Sequence, residues 1–107
     1  MRFMGCIAGA LCLLSAQSAN AGYWCDEKVT AAIVHQDGTV YFMSEKSCLA
    51  WCAISPAWAQ PQIDRAYSTL ITAISQNKPI TMFWTNASTP CAQVAMYSNP
   101  EAFIFHP

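Results

Sequence analysis

The sequence predicts a small α+β domain, mainly β with one central helix, stapled by disulfides. Three observations carry that expectation. Asp37-Gly38 separates two apolar β-type runs, residues 61–77 carry an apolar stripe at helical spacing, and four cysteines remain once an N-terminal leader is set aside.

The leader comes first in the chain. MRFMGCIAGALCLLSAQSANAG has Arg2 as a positive n-region, an uncharged run from Phe3 to Leu14, and Ala19-Asn20-Ala21 as an A-x-A cleavage signature. Residues 1–21 therefore read as a secretory signal peptide cut after Ala21. The alternative, a membrane anchor, is weaker, because the apolar run falls short of the roughly 20 residues a spanning helix needs. Gly9-Ala10-Leu11 before Cys12 is a poor lipid-attachment box. The expected location is secreted or periplasmic, with residues 22–107 forming a single domain.

Without Arg2, four of the five basic residues stand against six acidic ones, a net charge of about −2. No basic stripe is present, which argues against nucleic acid as a partner. So few charges on a short chain rich in rings suggest that part of the surface is meant to be covered, by copies of itself or by a ligand. Cys6 and Cys12 leave with the leader, so Cys25, Cys48, Cys52 and Cys91 remain and are expected to form two disulfides. A zinc site is disfavoured, because C-x-x-C pairs are missing and His35 and His106 lie far from the cysteines. No metal and no cofactor are expected.

The elements follow in order. Val29 to His35 is a β-type run, Asp37-Gly38 is a hairpin turn, and Val40 to Met43 is the returning run, giving strands at about 28–36 and 39–44. Cys48 to Ile54 makes a third strand, ended by Ser55-Pro56. In residues 61–77, Ile63, Ala66, Tyr67, Leu70, Ala73 and Ile74 recur at helical spacing. Pro61 suits the first helical position, Asp64 the first turn, and Asn77 the C-terminal end. The opposite face, Gln62, Arg65, Ser68, Thr69, Thr72, Ser75 and Gln76, is almost uncharged and suits either solvent or a neighbouring subunit. Lys78-Pro79 breaks the helix, and a fourth strand follows from Ile80 to Thr85. Cys91 to Tyr97 is a weaker extended segment, and Ala102 to Phe105 is the closing strand. Three strands, a helix and a returning pair is the order of a five-stranded OB-fold-like barrel; a small α+β sandwich is the alternative.

Register suggests a disulfide pattern. A two-residue turn places Gln36 opposite Thr39, and extending that ladder carries Cys25 towards Cys48–Cys52. In such a barrel the third strand also borders the fifth, near Cys91. The pairing expected is Cys25–Cys48 with Cys52–Cys91, and the alternative is Cys25–Cys91 with Cys48–Cys52.

No catalytic constellation is found, and no enzyme is expected. His35 reads as a solvent-facing residue beside the hairpin, His106 sits next to the C-terminus, and Asp64 and Glu101 have no partner at a telling spacing. The sequon Asn86-Ala87-Ser88 matters only in a glycosylating host. Trp24, Trp51, Trp58 and Trp84, with Tyr23, Tyr41 and Tyr97, are candidates for a sugar-stacking surface. Trp51 and Trp84 fall in mid-strand and are expected to fill the interior. Tyr23, Trp24 and Trp58 lie near element ends and are the candidate binding residues.

The stretch Tyr67 to Trp84, YSTLITAISQNKPITMFW, resembles the helix, short polar turn and following strand of the B subunits of subtilase-cytotoxin and pertussis-like bacterial toxins. The tryptophan-containing approach to the helix around Trp58 is similar too. The resemblance implies an exported bacterial OB-fold subunit that forms a ring, a pentamer, binds host glycans and partners a toxin A subunit. None of that family's sugar-contacting residues can be carried onto this chain. The second expectation, a periplasmic inhibitor or immunity protein acting on an enzyme such as a lysozyme, rests on the start Tyr23-Trp24-Cys25-Asp26 and its following hairpin.

Overall fold

In a computed structural model, residues 22–106 are described, so the leader lies outside them. The elements are β1 (Tyr23–Val34), β2 (Val40–Ser44), β3 (Cys52–Ala53), α1 (Gln60–Gln76), β4 (Pro79–Trp84) and β5 (Ala102–Phe105). They make one antiparallel sheet in the order β3-β2-β1-β4-β5, with α1 against it. The mainly β architecture with one helix is as expected.

The closed barrel is not found: β3 and β5 stand at opposite edges of an open sheet. The segment expected as a further strand fills the space beside β3 instead. Val94 N–H donates to Ser47 O, Tyr97 N–H to Trp51 O, and Ala53 N–H to Ser98 O, while Asn99 Nδ2 donates to Ala53 O at 2.8 Å. Residues 94–99 thus satisfy backbone groups that a neighbouring strand would otherwise take.

β1 is long because it serves two partners. Tyr23 to Lys28 pair with β4, and Val29 to Val34 pair with β2 across an irregularity at Thr30. The extra residue is a β-bulge, which swaps the face each later side chain occupies. Before it Cys25, Glu27 and Val29 point inward; after it Ala32 packs on the core while Ile33 lies exposed.

The hairpin differs from expectation by one residue. His35 N–H donates to Thr39 O and Gly38 N–H to His35 O, so the loop holds Gln36, Asp37 and Gly38, and Val34 faces Val40. Gly38 has φ 89°, a conformation that favours glycine. This is the three-residue loop with a left-handed glycine, not the two-residue turn.

The disulfides follow the alternative pattern, Cys25–Cys91 and Cys48–Cys52. The expected pairing is not found because β2 ends at Ser44, opposite Val29, so its ladder stops short of Cys25, which faces Met82 of β4. The Cys48–Cys52 bridge closes a turn where a strand was expected, so only Cys52–Ala53 pairs with β2.

The helix stripe holds: Ala66, Leu70 and Ala73 are buried, and Ile63, Tyr67 and Ile74 pack partly against the core. Asn77 closes α1 at φ 54°, with Lys78 N–H on Ala73 O. The start shifts to Gln60, which moves Asp64 out of the first turn; there its carboxylate accepts from Gln60 Nε2. Trp84, Phe42, Leu70, Ile80 and Met82 are sealed between helix and sheet.

Candidate functional site

Two outward surfaces gather rings. The first lies where β1 meets β4. Trp24 faces Phe83 in the register, and their ring centroids stand 4.9 Å apart at 47°. Phe83 leans over Gly22, a position where any Cβ would collide with the ring. Trp24 is 49% exposed, which is unusual for a side chain of such apolar area.

Two residues further along β1, about 7 Å by strand geometry, the same face turns polar. Asp26 faces Thr81, and Thr81 faces Ile104 of β5. Thr81 Oγ1 lies 2.9 Å from His106 Nε2 and 3.4 Å from Asp26 Oδ1. The surface is a ring plate beside a row holding a carboxylate, a hydroxyl and an imidazole. His106, expected to be too near the chain end for fixed geometry, is held by this contact.

The second surface is a concave cup on the outer side of the β1–β2 hairpin. Ile33, His35, Tyr41, Trp51 and Tyr97 enclose a volume of about 160 Å³. Ile33 and Tyr41 are register partners, and the Thr30 bulge gives Ile33 its outward facing. The His35 and Tyr41 rings stand at 88° with centroids 6.1 Å apart, and Tyr41 and Tyr97 at 66° and 5.7 Å. Tyr97 has φ 68°, a strained backbone for a bulky residue, and its N–H donates to Trp51 O at 2.7 Å. Trp51 is carried on the turn closed by Cys48–Cys52.

At the rim, His35 Nδ1 lies 3.3 Å from Asp37 Oδ1. The Thr39 backbone N–H donates to Asp37 Oδ1 and, with lesser help from His35, holds that carboxyl below its ordinary value.

The expected binding residues do not form one surface. Trp24 stands on the plate. Tyr23, the next residue on the strand, faces Trp84 on the opposite side of the sheet. Trp58 packs edge-on against Phe103, with centroids 6.2 Å apart, beside a shallow depression bounded by Gln62, Arg65 and Thr69. Trp84 fills the core as expected, but Trp51 does not: it is partly exposed and lines the cup. The polar row was not legible in the sequence alone. Its signal was the matched alternation of Trp24 and Asp26 with Phe83 and Thr81 once the register is known.

Among the described residues no helix is long and apolar enough to cross a membrane. No protein family, curated protein or solved structure matches this chain.

Proposed function

We propose that this chain is an exported binding protein that recognises host-surface glycans through the Trp24–Phe83 plate, acting as a ring-shaped oligomer. The observation that carries the reading is the plate's polar neighbour. The exposed Trp24 ring, with half-buried Phe83 tilted against it, offers a flat apolar face to the C–H side of a pyranose, while Asp26, Thr81 and His106 lie within reach of its hydroxyls. A carboxylate accepts from sugar hydroxyls, while a threonine hydroxyl and an imidazole can accept or donate.

Export is supported by the leader and by four cysteines all paired in disulfides. The OB-type reading is supported by the neighbour order, which is that of a five-stranded barrel slit between its third and fifth strands. Association of copies is supported by the sparse charge and by the outward face of α1, where Ile71 is 39% exposed among polar residues.

The test is a glycan array on the secreted protein, with light scattering on the same sample and a lysozyme-inhibition assay beside it. The expected result is an oligomer that binds a defined glycan set. Trp24→Ala should weaken that binding about tenfold, or about 1.4 kcal/mol. A monomer that binds no glycan would overturn the reading, and lysozyme inhibition by that monomer would replace it with the inhibitor class.

A further inference from the structure

We infer that the cup formed by Tyr41, Trp51 and Tyr97 is a second binding site, independent of the plate, that takes a quaternary ammonium group of the choline type. Shape comes first. A sugar stacks on one ring face, and the plate offers such a face, whereas the cup's neighbouring rings stand at 88° and 66° to one another around one hollow. Walls at steep angles enclose a compact, rounded group rather than a flat one. The hollow of about 160 Å³ equals about five waters at their share of roughly 30 Å³ each, enough for a methylated ammonium head.

Charge points the same way. The negative faces of aromatic rings attract a cation, and a quaternary ammonium loses little hydration on entering an apolar hollow. No lysine or arginine lines the cup. The Asp37 carboxylate stands behind His35 at the rim and adds a fixed negative charge. The other lining groups, from β1, β2, the Trp51 turn and the Tyr97 loop, bring no carboxylate and no basic side chain.

The site is also built in advance. Tyr97 occupies a left-handed backbone position that a bulky residue adopts at a cost of about 1 kcal/mol or more. It is kept there by its bond to Trp51 O, by Ser98 Oγ on Ala95 O at 2.6 Å, and by Asn86 Nδ2 on Ser98 Oγ at 2.9 Å. A loop held in strain by three bonds, with Tyr97 58% exposed, is organised to present that ring rather than to bury it.

Calorimetric titration of the intact protein with choline tests the proposal, with 3,3-dimethylbutan-1-ol as the uncharged isostere. Choline should bind, and the alcohol should bind about thirtyfold more weakly, because it fills the same space without the charge. Tyr97→Asn keeps a residue that tolerates positive φ and removes the ring, and should weaken choline about tenfold while leaving glycan-array binding unchanged. Sedimentation with phosphatidylcholine vesicles, against phosphatidylglycerol vesicles, separates the two sources of the group. Choline binding without co-sedimentation supports a soluble source, and selective co-sedimentation with phosphatidylcholine supports a lipid headgroup. Equal affinity for choline and the alcohol, or no binding of either, overturns the inference whatever the array shows.

Discussion

Replacing Glu27 with alanine should be among the most damaging single changes in this domain. The side chain is 1% exposed, and three donors converge on it. Lys46 N–H donates to Oε1 at 2.8 Å, Ser47 N–H to the same oxygen at 3.0 Å, and Ser47 Oγ–H to Oε2. Ser47 is fully buried, so its amide and hydroxyl lose their partner with no water to replace it; Lys46 lies nearer solvent and can be rehydrated. Two stranded buried donors at about 1–3 kcal/mol each give a loss of about 4 kcal/mol. For a domain of this size that corresponds to a fall of about 20 °C in Tm. Glu27→Gln keeps one acceptor oxygen for both amides and lets the serine hydroxyl accept instead, so it should cost only about 1–2 kcal/mol. Urea unfolding followed by circular dichroism, with disulfides intact at neutral pH, measures both variants. A Glu27→Ala loss under about 1 kcal/mol, or a Gln variant as damaged as the Ala variant, would refute the reasoning.

Two further outcomes follow from the structure. In the loop-entropy account, Cys25–Cys91, with 66 residues of separation, contributes about 4 kcal/mol, while Cys48–Cys52, separated by four, contributes about 2 kcal/mol. Paired Cys→Ala variants compared by thermal unfolding should show the first bridge as the larger loss, and the reverse order would contradict that account. Asp37 titrates below its ordinary value because the Thr39 amide favours its charged form. A lowered folded value gives the native state an advantage above the ordinary carboxyl range that disappears as pH falls through the folded value. The protection factor of the Thr39 amide, its exchange rate relative to that of an unstructured amide at the same pH, should therefore fall in that acid window and stay constant near neutrality, and Asp37→Asn should abolish the change.

Local chemistry was readable from the sequence, and long-range pairing was not. Asp37-Gly38 between β-type runs announced the hairpin, and the stripe from Ile63 to Ile74 announced the helix, because both signals depend on neighbours within a turn or two. Asn77 as the helix end was legible for the same reason. The errors arose where one residue altered phase or partner. A three-residue loop replaced the two-residue turn, and the β1–β2 ladder ends at Ser44, so Cys25 pairs with β4 and never reaches β3. The pairing Cys25–Cys48 failed with that register. Trp51 sat in a run that looked like a strand, and only the short Cys48–Cys52 closure turns it out to the cup. Glu27 gave no sign of burial, since its partners lie 19 and 20 residues away.

The added residue at Thr30 works on β1 like a frameshift in the middle of a sentence. Upstream, even-numbered side chains face out, with Trp24 on the plate and Asp26 in the polar row beside it; downstream, Ile33 faces out instead and reaches the cup. One continuous strand thus addresses two exteriors in two reading phases. The residues of each half can therefore vary under their own constraints, without obliging the other half to change its facing.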